Sequence, residues 1–481
     1  MRLLLPLLAT AAIALPSAAQ ATAVRTGAGD PATAPGGARV GTSAGTGAGN
    51  CAGTGTATDD FDGDGTDDFA TGDPFASPKG LAGAGTAHVL LGRGERGTTV
   101  TADGVRAGDG FGWSVRLAEV DADGCADLLV GAPYTDVAGR KDAGAVYVVY
   151  GGPRSRTVRL VAPEPEADAH FGWSLASGGT LVAIGAPHED ADGTGDSGAV
   201  YLFDTGALGP GRRVTQETEG VSGNGEVGDM FGWSLAIGDM GGTADEPDLA
   251  VGLPYENDDG LGRQDGDGKI DSGSIAVIFD VREPRDKYTS KKWDLRQVVA
   301  AAAGDRFGYA MAYTEDGGVG YLAVGAPLGD GGGVKDSGLV QLFRATRTVE
   351  IAPAATFHQG SEGTAGEGYG FSLALTADGG VRLAVGVPFD GPDRRGGVHL
   401  VPVTDPARAR LITHDRPGDL FGWSVGFSGN RLVAGVPDRG VSGAVALLGR
   451  NDTEGVLLSP GTGGVPALDG GSSADFGASI G

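Results

Sequence analysis

Two acidic segments of the sequence have the residue types and the spacing of a calcium-binding loop. One reads D-x-D-x-D-G-x-x-D from Asp60 to Asp68, and the other reads E-x-D-x-D-G-x-x-D from Glu119 to Asp127. Carboxylates at the first, third, fifth and ninth positions can surround a hard cation, while glycine at the sixth position permits a sharp turn. The carbonyl oxygen of the seventh residue is a further expected ligand. The predicted calcium ligands are therefore Asp60, Asp62, Asp64, Thr66 and Asp68 in the first loop, and Glu119, Asp121, Asp123, Cys125 and Asp127 in the second.

An acidic, solvated turn is the alternative interpretation, and the repetition of the pattern favours calcium over it. A third loop keeps Asp239 and Asp248 at its outer positions but is one residue too long, so a third ion there is left open. The acidic stretch 265–271 lies in a different kind of loop, where solvation is the favoured interpretation. We expect the ions to be structural, because they replace packing that a glycine-rich loop cannot supply.

Cys51 and Cys125 are the only two cysteines. This count excludes a disulfide-rich scaffold and a four-cysteine zinc site. Cys125 lies inside the second acidic loop and Cys51 lies shortly before the first, so we predict a disulfide between them, as an exported protein would allow.

No catalytic motif is convincing. Gly195-Asp196-Ser197-Gly198 matches the segment around a trypsin-like serine nucleophile, but the same position recurs at 271–273, 336–338 and 142–144, once with alanine in place of serine. Recurrence predicts a turn that opens a strand. The six histidines show no metal-ligand spacing.

The elements that position these residues belong to a repeat. A motif of the type F-G-W-S recurs at intervals of roughly 60 residues, as in a repeat architecture. Its seven copies begin at Phe111, Phe171, Phe231, Phe307, Tyr369, Phe421 and Phe476. A second, strand-like motif ends in Val-Gly-Ala-Pro or a variant of it, at Pro74, Pro133, Pro187, Pro254, Pro327, Pro388 and Pro437. Short runs rich in valine, tyrosine and phenylalanine follow, bounded by glycine or proline. Units of four short strands repeated seven times predict an all-β, seven-bladed β-propeller.

The ends of the sequence predict how the ring closes. The first repeat has the second motif without a preceding F-G motif, whereas the last F-G motif, 476–481, has no second motif after it. The two halves make one complete blade, so we expect the N- and C-terminal segments to pair, which removes an exposed sheet edge. An open solenoid is the alternative, but its ends should be caps.

Composition and the N-terminus bear on partners and location. With 36 Lys and Arg against 62 Asp and Glu, the net charge is −26, which argues against a nucleic-acid partner. Residues 1–23 have an arginine, a short apolar core and two A-x-A sites, which predicts a signal peptide cleaved near Ala21 or Ala23. The core is too short for a membrane span. We expect a flexible Gly/Ala/Thr-rich tail over 24–56, a propeller over 57–481, and a secreted, extracellular monomer with no membrane span.

The paired motifs resemble the FG-GAP repeats of the integrin α-subunit head, over residues 57–481. The resemblance implies a seven-bladed propeller with calcium cages and a ligand-binding face. We expect a departure from an integrin in two respects, the absence of leg domains and of a transmembrane helix. Similar repeats also occur in secreted bacterial proteins and beside a glycosylphosphatidylinositol-specific phospholipase domain, so the resemblance leaves the function open.

Long polar loops follow the second motif, and strand alternation places them on the face opposite the calcium loops. Their candidate ligand-contacting residues are Tyr134, Asp136, His188, Glu189, Asp190, Asp192, Tyr255, Glu256 and Asp258. A solvated acidic surface explains the same residues equally well. The tryptophans of the F-G-W-S motif share one blade position, which favours packing between sheets over stacking on a sugar.

The sequence therefore predicts a calcium-stabilised propeller that binds an extracellular protein or polysaccharide without catalysis. The alternative is an extracellular hydrolase or lyase that uses acidic loop residues on a polymer. A structural surface protein is a third hypothesis.

Overall fold

The computed structural model describes residues 58–92, 96–152, 156–243, 246–257, 269–282, 287–346, 349–360, 363–414, 416–449, 455–468 and 470–481. Seven antiparallel four-stranded sheets form the blades of a β-propeller. The innermost strands of successive blades contact one another around the whole ring. The predicted fold class is confirmed, as is its closure by the terminal segments.

The blades follow the chain in order, and each is a meander from the innermost to the outermost strand. Blade 1 contains β28 (Ser479–Ile480), β1 (Phe69–Asp73), β2 (Thr86–Leu91) and β3 (Arg96–Val100). Blade 2 contains β4 (Val115–Ala118), β5 (Asp127–Ala132), β6 (Ala145–Val149) and β7 (Thr157–Leu160). Blade 3 contains β8 (Leu175–Gly178), β9 (Leu181–Ala186), β10 (Ala199–Asp204) and β11 (Arg212–Val214). Blade 4 contains β12 (Ser234–Gly238), β13 (Asp248–Leu253), β14 (Ser274–Phe279) and β15 (Thr289–Asp294).

The remaining blades repeat the arrangement. Blade 5 contains β16 (Met311–Asp316), β17 (Val319–Ala326), β18 (Leu339–Thr346) and β19 (Val349–Phe357). Blade 6 contains β20 (Ser372–Thr376), β21 (Arg382–Val387), β22 (Gly397–Pro402) and β23 (Arg410–Thr413). Blade 7 contains β24 (Val425–Ser428), β25 (Arg431–Val436), β26 (Ala444–Leu447) and β27 (Val456–Leu458). Among the described residues, three-residue 3-10 turns lie at Pro78–Gly80, Ala191–Gly193, Leu295–Gln297, Gly331–Gly333 and Pro406–Arg408.

The first residue of each F-G motif is the core residue between blades. All seven of these phenylalanine and tyrosine side chains are at most 1% exposed. The backbone N–H of Phe171 donates to the carbonyl oxygen of Ala143 in the preceding blade at 3.0 Å, and the other copies repeat this bond. The motif glycine is required at this junction because a Cβ on Gly112 would lie 2.2 Å from the carbonyl oxygen of Thr86.

The motif serine ties each blade to the next. Ser114 Oγ donates to the carbonyl oxygen of Gly172 at 2.8 Å, and the same bond recurs from blade to blade. Ser479 Oγ, from the last residues of the chain, donates to the Gly112 carbonyl oxygen at 2.9 Å and completes the ring. Blade 5 has Ala310 at this position and lacks the hydroxyl group.

The terminal strand closes blade 1 as the repeats predict. β28 pairs with β1, with Thr71 opposite Ile480 and Gly72 opposite Ser479. The buried carboxylate of Asp73 accepts hydrogen bonds from the backbone of Ala474 at 3.3 Å and of Asp475 at 3.0 Å, and from the Ser473 hydroxyl. No helix among the described residues is long and apolar enough to span a membrane.

Candidate metal cages and binding face

The first acidic loop, which immediately precedes β1, brings three carboxylates close together. Oxygens of Asp60, Asp62 and Asp68 all lie within 4.8 Å of one another. The loop is shaped by Asp60, whose carboxylate accepts hydrogen bonds from the N–H groups of Gly63, Asp64 and Gly65 at 2.7–3.0 Å. Asp64 is exposed and accepts from the N–H of Thr66 at 2.9 Å.

The second loop, between β4 and β5, has the same construction. Oxygens of Glu119, Asp121 and Asp127 lie within 4.8 Å of one another. Glu119 accepts from the N–H groups at 121, 122 and 124 at 2.7–3.1 Å, so its longer side chain reproduces the role of Asp60. Asp123 accepts from the N–H of Cys125 at 2.9 Å, as Asp64 does from Thr66.

These carboxylates fit a hard divalent cation. Asp121 Oδ1 is buried and has no hydrogen-bond partner in the described part of the chain. A buried carboxylate oxygen without a donor is costly unless a cation or water meets it. The donors that converge are all oxygens, which is the ligand type that calcium prefers. The roles of the Thr66 and Cys125 carbonyl oxygens, and of Asp64 and Asp123, remain predictions.

The ninth-position aspartate also holds the loop to the blade. Asp68 accepts from the N–H groups of Phe61 at 2.8 Å and Gly92 at 2.6 Å, and Asp127 accepts from those of Val120 and Gly151, both at 2.9 Å. Burial raises the pKa of Asp68 to about 8 and that of Asp127 to about 7. A cation beside these groups would favour their charged forms.

The third acidic loop keeps only this anchoring function. Asp248 accepts from the N–H groups of Met240 at 2.7 Å and Asp280 at 2.8 Å, in the manner of Asp68 and Asp127. Asp239 and Asp248 form no convergent carboxylate group with other residues that the structure describes. The loop therefore holds its shape through backbone hydrogen bonds, and a third ion stays a prediction.

The two cages contact each other directly. The N–H of Ala126 donates to the carbonyl oxygen of Asp60 at 2.8 Å, and that of Gly152 donates to the carbonyl oxygen of Phe61 at 2.8 Å. Cys125 is fully buried at this junction. Cys51 lies outside the described residues, so the predicted disulfide stays a prediction.

The opposite end of the sheets carries the connections between the second and third strands of each blade, for example 133–144, 187–198 and 327–338; we call this end the loop face. Tyr134, His188 and Tyr255 are half-buried there, and Asp136, Asp190 and Asp192 are exposed. Asp258 lies outside the described residues. Glu189 and Glu256 are buried instead: Glu189 accepts from Arg213 Nε at 2.6 Å and from the Tyr201 hydroxyl at 2.8 Å, and Glu256 pairs with Lys292 at 2.7 Å.

The recurrent Ser197 site is a turn, as recurrence predicts. Ser197 is 2% exposed, and its Oγ donates to the carbonyl oxygens of Ala191 at 3.2 Å and Thr194 at 2.9 Å. His188 Nδ1 lies 3.2 Å from Asp196 Oδ1, and it contacts no serine hydroxyl that the structure records.

The third residues of the F-G motifs form a belt of rings on the loop face. Consecutive ring centroids lie 4.7–5.6 Å apart from blade 2 to blade 7. All are half-buried, so each packs against its neighbour and exposes part of its surface. The predicted packing between sheets is confirmed. This aromatic girdle consists of Trp113, Trp173, Trp233, Tyr309, Phe371 and Trp423.

A set of buried acidic residues beside the girdle was not anticipated from the sequence. They occupy the position two before the motif phenylalanine or tyrosine and are 0–5% exposed. Burial raises the pKa of Asp305 to about 7 and that of Asp229 to about 8. The signal was present in the repeated G-D-x-F-G pattern. The buried acidic positions are Asp109, Asp229, Asp305, Glu367 and Asp419.

Comparisons with known proteins agree with the geometry. A family model described as FG-GAP repeat matches residues 52–90 and 111–149, and a second FG-GAP repeat model matches 155–203. The chain is 33% identical over 219 residues to integrin alpha-PS2 of Drosophila melanogaster, a match that covers 42% of this chain and 15% of that protein. It is 32% identical over 209 residues to integrin alpha-5 of Xenopus laevis, covering 41% and 19% of the two chains.

A third relative is of another kind. The chain is 30% identical over 174 residues to the phosphatidylinositol-glycan-specific phospholipase D of Bos taurus, covering 32% of this chain and 20% of that one. Each match thus spans at most a fifth of the relative's own length. Taken with the seven four-stranded blades, these matches show that the chain is a seven-bladed propeller with segments similar to FG-GAP repeats and to integrin alpha subunits.

Proposed function

We propose that this protein is a secreted, calcium-stabilised and non-catalytic module that holds an extracellular protein or polysaccharide on its loop face. The observation that carries the proposal is the aromatic girdle. Its six rings are contiguous and each remains partly exposed. Aromatic side chains with one free surface are enriched at binding interfaces, because they bury a large area at a small cost in conformational entropy.

The charge around the girdle favours a partner that presents lysine or arginine. Exposed carboxylates of Asp136, Asp190 and Asp192 lie on the same face, and the whole chain has a net charge of −26. Within the protein itself, the Arg306 guanidinium lies 3.9 Å above the ring of Tyr255. Such cation–π contacts strengthen when water is excluded, as it would be under a bound partner.

The other two parts of the proposal rest on separate observations. Calcium is supported by the two convergent carboxylate groups and by the buried, unpartnered Asp121 Oδ1. Secretion is supported by the pattern of residues 1–23. The calcium cages lie at the opposite end of the sheets from the girdle, so their role would be to hold blades 1 and 2 rather than to contact the partner.

The proposal is tested with the mature protein on immobilised extracellular-matrix proteins and insoluble cell-surface polysaccharides, in calcium and in EDTA. Retained protein and released soluble fragments are both measured. We expect retention in calcium, weaker retention as salt is raised, and no fragments. Trp173→Leu should reduce retention at least about tenfold, the effect of one interface anchor.

The matched control is Leu411→Ala, which removes an apolar side chain that is 41% exposed on the outermost strand of blade 6. It should leave retention unchanged. Fragments that accumulate with time would replace the binding proposal with the hydrolase or lyase alternative. Equal loss of retention in both variants would refute the assignment of the binding surface to the girdle.

A further inference from the structure

Two histidines that are distant in the sequence meet on the loop face of blade 3. His170 directly precedes the motif residue Phe171, and His188 directly follows Pro187 at the end of β9. Their ring centroids lie 4.8 Å apart with an interplanar angle of 86°. Their separation of 18 positions matches no metal-binding motif, which is why the sequence did not indicate a site.

Each ring has a buried nitrogen without a partner. Neither His170 Nδ1 nor His188 Nε2 has a hydrogen-bond partner in the described structure. The other nitrogen of His188, Nδ1, lies 3.2 Å from Asp196 Oδ1. Because an ionised carboxylate only accepts hydrogen bonds, Nδ1 carries the proton and Nε2 presents its lone pair. A carboxylate behind a histidine is the usual orienting partner of a metal ligand.

The protonation state and the surroundings suit a cation. Burial, and to a lesser degree the neighbouring His188, lowers the pKa of His170 to about 3, so its imidazole is neutral at physiological pH. Carboxylates of Asp190, Asp192 and Glu166 lie on the same loops, and Glu166 accepts from the N–H of Asp190 at 3.0 Å. His170 is 8% exposed and the His188 side chain 12%, so the pair lies just beneath the surface of the loop face.

We propose that His170 and His188 bind one divalent transition-metal ion of the zinc, nickel and copper class, through His170 Nδ1 and His188 Nε2. Imidazole nitrogen suits these ions, whereas calcium prefers oxygen, so the site is chemically distinct from the two cages. Bonds of about 2.0–2.1 Å to each nitrogen require the two nitrogens to lie within about 4.2 Å of each other, which is compatible with rings at the observed spacing. Water or a group from a bound partner would fill the remaining positions. Asp196 is a positioning residue.

The test uses the mature protein with its cages saturated by millimolar calcium. Zinc chloride is titrated calorimetrically, and copper chloride is titrated while tryptophan fluorescence is recorded. Trp173 is a built-in reporter because its ring lies 6.0 Å from His170 and 5.5 Å from His188. We expect one equivalent of zinc, competition between zinc and copper, and quenching by copper.

Variants separate this site from ordinary surface binding. His170→Gln and His188→Gln should each lower zinc affinity at least about tenfold, and Asp196→Asn, which keeps both ligands, should lower it about tenfold. His358→Gln is the matched control, because His358 is an exposed histidine in blade 5. The zinc affinity of His358→Gln should equal that of the unaltered protein.

A second measurement needs no variant. The electron paramagnetic resonance spectrum of the copper-loaded protein should show two coordinated nitrogens. One nitrogen or none, or zinc binding that is equal in all variants, would overturn the proposal. If neither zinc nor copper binds, the proposal is also overturned, and a water molecule that bridges the two nitrogens becomes the explanation of their missing partners.

Discussion

One buried carboxylate supports the closure of the ring, and removing it gives a quantitative prediction. Asp73 is fully buried at the end of β1, where the equivalent residues of blades 2 and 3 are Ala132 and Ala186. In the variant Asp73→Ala, the N–H groups of Ala474 and Asp475 lose their acceptor. The bond from Asp475 is buried and that from Ala474 is part-buried. A buried donor left unsatisfied costs about 1–3 kcal/mol and the carboxylate's own desolvation is recovered, so we expect a net loss of about 2 kcal/mol.

The measurement is the free energy of unfolding from urea denaturation, together with hydrogen exchange at the terminal strand. Protection at Ile480 should fall with the global stability, because β28 pairs with β1 and the segment 473–475 that leads into β28 is anchored by Asp73. Asp136→Ala is the control, since Asp136 is exposed and accepts one hydrogen bond, from the N–H of Asp142 at 3.2 Å. It should change stability by less than about 0.5 kcal/mol. A loss below about 1 kcal/mol for Asp73→Ala, with protection at Ile480 intact, would refute the role assigned to the carboxylate.

Three further predictions concern the ring, a buried histidine and the cages. Ala310→Ser restores the missing hydroxyl group of blade 5, and its acceptor would be the Gly370 carbonyl oxygen. The variant should raise the free energy of unfolding by about 0.5–1.5 kcal/mol. A destabilised variant would contradict the role given to the serine hydrogen bonds. Burial lowers the pKa of His88 to about 3, so between pH 6.5 and 3 the unfolded chain binds a proton there that the folded chain does not. As the pH drops below 6.5, His88 should therefore lower the free energy of unfolding by about 1.4 kcal/mol per pH unit. In His88→Leu, the plot of the free energy of unfolding against pH should be less steep by that amount. Calcium at ten times a dissociation constant on the order of 0.1 mM should raise the free energy of unfolding by about 1.4 kcal/mol per cage. In a calcium titration, Asp121→Asn should abolish one of the two increments.

The fold was predictable because the recurring residues of the repeated motif each make a defined contact between neighbouring blades. Phenylalanine fills the space between sheets, glycine permits a close backbone approach, and serine donates to the next blade. Such contacts recur around the ring, with the serine bond missing only at Ala310 of blade 5, so they leave a period in the sequence. The terminal half-repeats predicted closure for the same reason, since Phe476, Gly477 and Ser479 make the contacts that Phe111, Gly112 and Ser114 make elsewhere.

The candidate sites were predictable only where the ligands are local. The cage carboxylates lie within nine consecutive residues, so spacing alone brought Asp60, Asp62 and Asp68 together. Burial of Glu189 against Arg213 was beyond the sequence, because the partner comes from the outermost strand of the blade. The pairing of His170 with His188 depends in the same way on two connections that the fold places side by side.

The calcium cages and the aromatic girdle lie at opposite ends of the sheets, and blade 1 links them. The cages join blades 1 and 2 through the bond from Ala126 to Asp60, and blade 1 is the blade that the terminal strand completes. Loss of calcium would therefore loosen blade 1, which the short strand β28 completes, at the end of the sheets away from the girdle. Since Trp113 of blade 2 is the first ring of the girdle and contacts Trp173 at 4.7 Å, an opened blade 1 would leave that ring without its neighbour Phe75, 6.3 Å away. EDTA should thus weaken binding through the ring's integrity, and Asp73→Ala should weaken it in the same way even when calcium is saturating.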